Sequence, residues 1–451
     1  MPSNFLSYWM TRDVARGLRA SKTGLMANLT ISIVALLFFI LLSSPTAISV
    51  NAPEYLFLLY GLQIPVVYTI ISLEAVADAV KPEVKGYGLS LSNFLKVVFC
   101  ILLMLYSRLD LIGIIVAVLV ASLVQALYLA LVLREHLYGG IDMSFLKKWF
   151  KVLWIPIYRL SPQIPFTLTF MVIAWIMGST VPLAYLSAPT VIAGFVGFTA
   201  ALAVGLYPRL LSGGSERDVE ETLKLVLMFA IPMLFGITVL ARPLLYVLRP
   251  EYEVAWLILI VLAVKELIKT MRIVLSYVLL GIERVECRES TTLKDYVKSF
   301  HFLVPTVTLI VNVFTLVFAT VVFLIGLGYG IHFIDLLLCY LLLRLVFLQI
   351  PMICYFWCKA KEVLPFKLPS YNVFKYVIAS LVMSLMLWWL YPNEIYCSNS
   401  ILEAIPYLIY HVLLASLVYI LVLIAIDNDS RKLLKLIKRE FMLKLAEFGF
   451  A

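Results

Sequence analysis

Lys265, Glu266, Lys269 and Arg272 stand near the middle of an apolar run covering residues 253–280. In a helix, Lys265, Lys269 and Arg272 are spaced i, i+4, i+7 and share one face, which Ser276 continues. Cations on such a stripe can hold an anion, Arg gripping phosphate oxygens bidentately and Lys acting as a point charge. The plainer alternative is that Lys265, Glu266 and Lys269 form a local ion pair that fixes packing between helices. In either case the stripe must face a polar cavity or acidic partners, because lipid contact would cost several kcal/mol. Two more arginines lie inside apolar runs. Arg159 is flanked by Pro156, Pro162 and Pro165, and Arg344 lies mid-run at 331–357. Lys96, two turns inside the end of its run, reads as a snorkelling side chain. Interior acids are few: Glu266, Asp335, Glu74 and Asp78. This excess of base suits an anionic cargo, whereas a cationic one calls for buried carboxylates. Arg159, Lys265, Lys269, Arg272 and Arg344 are therefore the candidate substrate-binding residues.

Other chemistries find little support. No set of residues reads as catalytic or as a metal site, and the six cysteines are scattered, mostly within apolar runs. Cys354 and Cys358 share a helical face, but no second pair or nearby His completes a ligand set. No phosphate-cradling P-loop is present, so ATP is not expected as the direct energy source, and no cofactor is expected.

The elements that must hold these residues are membrane helices. Of the 451 residues, 63% are hydrophobic and 14% charged, with a mean hydropathy of +1.01. A soluble chain carries roughly 25% charged residues. The +9 net charge thus reads as a topology signal rather than as a nucleic-acid surface. Twelve apolar runs are long enough to span, at about 25–43, 55–74, 90–107, 110–133, 150–178, 182–206, 223–247, 253–280, 302–327, 331–357, 373–391 and 401–426. If alternate connections and both termini share one side, that side holds 27 of the 36 Lys and Arg, against 3 on the other. The positive-inside rule places the rich side, with both termini, in the cytoplasm. The tail 429–451, with Arg431–Glu440 at its start, reads as a basic amphipathic helix on anionic inner-leaflet lipid. The segment 1–24 and the stretch Phe145–Lys151 read the same way. Pro53-Glu54-Tyr55 and Pro250-Glu251-Tyr252 each open a span after a short outward turn, an echo consistent with two related lobes.

Between Tyr207 and Glu286 the chain resembles the polysaccharide (lipid-linked oligosaccharide) flippases of the multidrug/oligosaccharidyl-lipid/polysaccharide exporter (MOP) superfamily. The matching pieces are Tyr207-Pro208-Arg209-Leu210-Leu211-Ser212, Ala241-Arg242-Pro243-Leu244-Leu245, Pro250-Glu251-Tyr252 with Ala255, and Leu280-Gly281. Asn312, Gly326 to Gly330 and the closing basic helix are weaker matches. The resemblance implies an all-α polytopic membrane protein with two six-helix lobes facing each other across a cavity, plus a final helix pair. Thr11-Arg12-Asp13-Val14-Ala15-Arg16 looks like that family's inward loop after its second span. The expectation is thus a fourteen-helix flippase fold lacking its first hairpin, with about twelve spans. They divide into an N-terminal lobe of four helices at 25–133, a C-terminal lobe of six at 146–358 and an extra pair at 373–426.

The implied activity is translocation of a polyprenyl-phosphate- or pyrophosphate-linked oligosaccharide across the cytoplasmic membrane by alternating access, in polysaccharide or glycan assembly. Its implied partners are the lipid-linked sugar, anionic lipid at the C-terminal tail and polysaccharide-assembly enzymes, with no nucleic acid. One alternative is a drug or metabolite/cation antiporter of the same superfamily, against which the scarcity of interior acids argues. Another is a membrane glycosyltransferase or polymerase, which would need acidic residues on a sizeable outward loop. The outward segment Ser43–Glu54 offers only Glu54, so a non-enzymatic role is expected. A non-transporting assembly partner is the last alternative.

Overall fold

The computed structural model describes residues 3–50, 53–106, 109–151, 154–211, 213–283, 296–391 and 401–431. The basic tail beyond Arg431 lies outside the described residues. The described chain is helical, without a strand, as a membrane interior requires of an open-ended chain: helices satisfy their own backbone hydrogen bonds where no water can. Eleven helices among the described residues are long and apolar enough to cross a bilayer. The remaining expected span, at 253–280, is also a continuous helix, Trp256–Ile282, of 27 residues. At 1.5 Å per residue this is about 40 Å, longer than a hydrocarbon core of about 30 Å. Its central charges set it apart from the other eleven. The chain is a multi-pass helical membrane protein.

Contacts divide the chain into two units, Met1–Leu160 and Ser161–Ala451. The first contains α1 (Ser3–Ala15), α2 (Ser21–Val50), α3 (Glu54–Gly61), α4 (Gln63–Val80), α5 (Pro82–Ile101), α6 (Asp110–Val132), α7 (Met143–Lys151) and α8 (Trp154–Leu160). Helix α4 is the centre of this unit and packs on α1, α2, α5 and α6. The segment 1–24, expected as a basic amphipathic segment, contributes a helix that packs by one face. Leu6, Met10 and Val14, four residues apart, are buried on one face of α1, while the small Ser3 and Ser7 allow close approach. Asn28 Nδ2 bonds Ser7 Oγ at 3.0 Å and Ser72 Oγ at 2.8 Å, joining α1, α2 and α4. Helix α7, expected as another such segment, buries Trp149 completely, and its indole Nε1 donates to Asp13 Oδ2 at 2.8 Å.

The second unit contains α9 (Gln163–Met177), α10 (Val181–Phe198), α11 (Leu206–Leu211), α12 (Glu216–Val239), α13 (Ala241–Leu248) and α14 (Trp256–Ile282). It continues with α15 (Phe300–Gly328), α16 (Phe333–Arg344), α17 (Ile350–Val363), α18 (Ser370–Trp389) and α19 (Ile401–Ile426). A π-helical turn, Leu345–Gln349, links α16 to α17. The span expected at 223–247 breaks at Leu240, so α12 and α13 are separate helices. The break at Ser161-Pro162 was signalled by its prolines. There the Pro162 carbonyl accepts a hydrogen bond from Asn312 Nδ2 on α15 at 2.9 Å.

Helix α14 is the hub of the second unit, touching α10, α11, α12, α13, α15, α16 and α17. Leu259, Leu262 and Ala263 join one buried cluster, and Val274, Leu275, Val278 and Leu279 another. Near its C-terminus Gly281 lets α11 approach: a β-carbon there would lie 2.8 Å from Leu210 Cβ. The pair α18 and α19 packs on α12 through Tyr376, Met383, Leu387, Tyr419 and Leu423. The Tyr419 hydroxyl donates to the Met228 carbonyl at 2.6 Å.

Candidate functional site: a cationic cluster on the hub helix

The buried face of α14 is interrupted by one carboxylate. Glu266 is 4% exposed, and its two oxygens are held by different ammonium groups. Lys265 Nζ meets Oε1 and Lys269 Nζ meets Oε2, both at 2.9 Å. The side chain of Lys265 is largely buried at 14% exposed, whereas that of Lys269 is open at 46%. Behind the carboxylate lies Gly197 of α10, where a β-carbon would come within 2.8 Å of Oε2. A side chain at residue 197 would displace the carboxylate from its present place.

The remaining cations of the cluster are not neutralised. Arg344, at the last position of α16, is 9% exposed and close enough to Lys265 for their charges to repel. Its guanidinium lies 5.6 Å from the ring centroid of Phe166 on α9, a cation–π contact. Nη1 reaches the Tyr340 hydroxyl at 3.5 Å, one helical turn back. The Arg344 Nε is buried without a hydrogen-bond partner among the described residues. Arg272 feels the charge of Glu266, yet its guanidinium forms no ion pair or hydrogen bond among the described residues. Among the described residues, the cluster thus gathers Lys265, Lys269, Arg272 and Arg344 around one carboxylate. A phosphoryl or carboxylate group reaching it would find guanidinium donors not already committed, beside an ammonium group open to approach.

Four of the five residues expected from the sequence therefore belong to the second unit, and Lys265 and Lys269 converge on Glu266. Arg159 belongs to the first unit, on α8, with its guanidinium 4.8 Å from the ring centroid of Tyr8. Tyr8 also lines a polar cavity of ≈ 300 Å³ within that unit, together with Ser7, Thr11, Glu74, Asp78 and Lys85. Lys85 pairs with Asp78 at 2.8 Å and Glu74 at 3.7 Å. A second cavity, of ≈ 470 Å³, lies elsewhere in the second unit, lined by Arg209, Lys224, Met228, Tyr376 and Asp429 among others. Sequence reasoning missed Gly197, Phe166 and Tyr340. Of these only Tyr340 had a signal, its i, i+4 spacing to Arg344.

The residues that carried the family resemblance mostly serve packing. Arg242 stacks on Trp256, its Cζ 5.0 Å from the ring centroid. Tyr252 meets Tyr185 edge-on at 5.2 Å, and Tyr207 lies beside Tyr277.

No protein-family model and no curated protein matches the chain. Solved structures do. The lipid II flippase MurJ in an inward closed conformation aligns over 94% of this chain and 90% of its own, with 16% identity and a TM-score of 0.59. The MATE transporter VcmN of Vibrio cholerae, in its bent form, aligns over 80% of this chain and 85% of its own, with 13% identity and a TM-score of 0.53. A MOP superfamily transporter from Pyrococcus furiosus, described as having a binding pocket of reverse polarity that suggests a different function, aligns over the same 80% and 85%, with 15% identity and a TM-score of 0.54. The chain shares its fold with these MurJ and MATE transporter structures.

Proposed function

We propose that this protein is a transporter that moves an anionic, lipid-linked oligosaccharide across the cytoplasmic membrane, with both termini on the cytoplasmic side. The observation that carries the proposal is the imbalance on α14 and α16. Among the described residues, Glu266 is the one carboxylate paired within a cluster of Lys265, Lys269, Arg272 and Arg344, and the buried Arg344 Nε lacks a partner among the described residues. Buried cations persist only where something compensates them, and the phosphate or pyrophosphate joining a polyprenyl chain to a sugar supplies that charge. The MurJ structure, named for a lipid II flippase, supports a lipid-linked cargo. The reverse pocket polarity and different function named for the Pyrococcus furiosus protein are compatible with a fold of this kind carrying cargoes of more than one charge. Translocation would proceed by alternating access, with Arg159 as a further contact and polysaccharide-assembly enzymes as partners.

Deleting the gene should cause cytoplasm-facing lipid-linked sugar to accumulate, and the intact gene should clear it. A Lys265/Lys269/Arg272→Ala triple variant that reaches the membrane at normal abundance should not. Full rescue by that variant would remove the α14 cluster from the transport path. A second reading, antiport of a cation, is favoured by Glu74 and Asp78 lining the cavity of the first unit. It predicts instead that the deletion sensitises cells to cationic compounds and leaves lipid-linked sugar unchanged.

A further inference from the structure

We infer that Glu266 is a proton-coupling group: an anion binding to the α14 cluster displaces Glu266 from its lysines, and the carboxylate then takes up one proton. This inference rests on the anionic-cargo reading above and assigns the coupling step to a particular atom pair. The geometry makes the two anions rivals. Both oxygens of Glu266 are held by Lys265 and Lys269, each at 2.9 Å, and these ammonium groups belong to the same cluster as Arg272 and Arg344, neither of which has an acidic partner among the described residues. Lysine stems are flexible, and Lys269 is already half open to its surroundings. A phosphoryl group drawn in by the two arginines therefore competes for the same ammonium donors.

When Glu266 loses them, the one unpartnered hydroxyl a turn away on α14, among the described residues, is that of Thr270, a neutral donor that cannot replace an ammonium charge. Glu266 is 4% exposed, and the wall behind it is the backbone at Gly197. Helix α10 has Tyr185 as its nearest ionisable residue, twelve positions away, and the ionisable residues of α12 lie in its first nine positions, Glu216 to Lys224. The charged groups acting on Glu266 are thus Lys265, Lys269 and Arg272 on its own helix, with Arg344 of α16 acting through Lys265. A buried carboxylate that loses both ammonium partners is driven towards its neutral form, so it binds a proton from water as the anion's negative charge takes its place beside the lysines. Charge in the cluster is conserved: the carboxylate is neutralised by H⁺ while one negative charge of the ligand replaces it. The cargo and a proton would then occupy the site together and cross together.

The experiment is calorimetric titration of the purified full chain in detergent with farnesyl diphosphate, repeated in buffers of different ionisation enthalpy. Wild type should take up close to one more proton per ligand than Glu266→Gln, since the ligand's own proton exchange is common to both and cancels. Wild-type affinity should weaken by up to tenfold per pH unit on the alkaline side relative to Glu266→Gln, which an unbreakable ion pair would not produce. Infrared difference spectra of the wild type need no variant. Ligand addition should remove a carboxylate band and produce a protonated carboxylic-acid band. Binding with equal proton counts and no acid band would overturn the coupling but leave the anionic-cargo reading intact. Absence of binding by wild type would overturn both.

Discussion

The Glu266 carboxylate occupies space that a side chain at residue 197 would fill, since a β-carbon on Gly197 would stand 2.8 Å from Oε2. Two helices far apart in the chain, α10 and α14, are thereby held at the distance one acid requires. Gly197→Ala should push the carboxylate aside and strain its bond to Lys269. Overpacking of this kind costs about 1–3 kcal/mol. A drop in melting temperature of the purified protein, with a still larger loss from Gly197→Val, checks this. Unchanged stability in both would show that α10 yields freely there.

Arg344 makes the opposite prediction for stability and activity. Its guanidinium is buried on Phe166 and Tyr340, with Nε unpartnered among the described residues. Replacing a poorly compensated buried charge with an apolar side chain of similar length is often neutral or stabilising, by about 1–4 kcal/mol. Arg344→Met should therefore melt no lower than wild type while losing at least tenfold in transport. Arg344→Lys should not restore transport, because a point charge cannot present the planar fork of a guanidinium. The two readouts are melting temperature and clearance of lipid-linked sugar.

Much of this was legible from the residues, for reasons the structure makes plain. Span positions follow apolar runs because the bilayer interior tolerates little else. The Lys265–Lys269 stripe was legible because i, i+4 spacing is a property of one helix. Gly197 was not: its role is defined by Glu266, 69 positions later, and nothing local marks it. The break at Leu240 escaped notice because hydropathy runs unchanged from α12 into α13, and only Arg242-Pro243 hinted at it. Helix α1 was legible in its polar face, where Arg12 and Arg16 stand; what packs against its other face, Leu6, Met10 and Val14, was not.

Trp149 and Asp13 test that placement. Asp13 is 2% exposed and receives the Trp149 indole Nε1 at 2.8 Å. The ammonium and guanidinium groups nearest to it, on Lys148 and Arg16, stand at 4.0 Å. Trp149→Phe keeps the ring's bulk and removes the donor, leaving a buried carboxylate short of a hydrogen bond worth about 1.5–3 kcal/mol. The variant should unfold earlier. Asp13→Asn in the same background should recover part of the loss, since an amide is cheaper to leave unbonded than a carboxylate. Thermal unfolding of the four proteins in this cycle measures the coupling, and additive effects would mean the bond contributes nothing.

The anchor of the helix pair predicts a dependence on pH. Asp427, just past α19, accepts from Ser430 Oγ at 2.6 Å and from Lys375 Nζ of α18 at 2.9 Å. Burial alone would push its carboxyl up, but the bonds from Ser430 and Lys375 outweigh burial and hold it below the ordinary carboxylate range. A carboxyl lowered on folding adds stability that is present above its unfolded value, about pH 4, and is lost as pH falls through the lowered folded value. Asp427→Asn should therefore cost on the order of 2 kcal/mol at neutral pH, as expected for a hydrogen bond to a charged group. The gap between wild type and variant should stay constant from pH 7 to about pH 5, narrow below about pH 4, and close once the wild-type carboxyl is protonated. Melting curves of both proteins across that range provide the measurement. A gap that widened with acid would mean that Asp427 is held above, not below, the ordinary range.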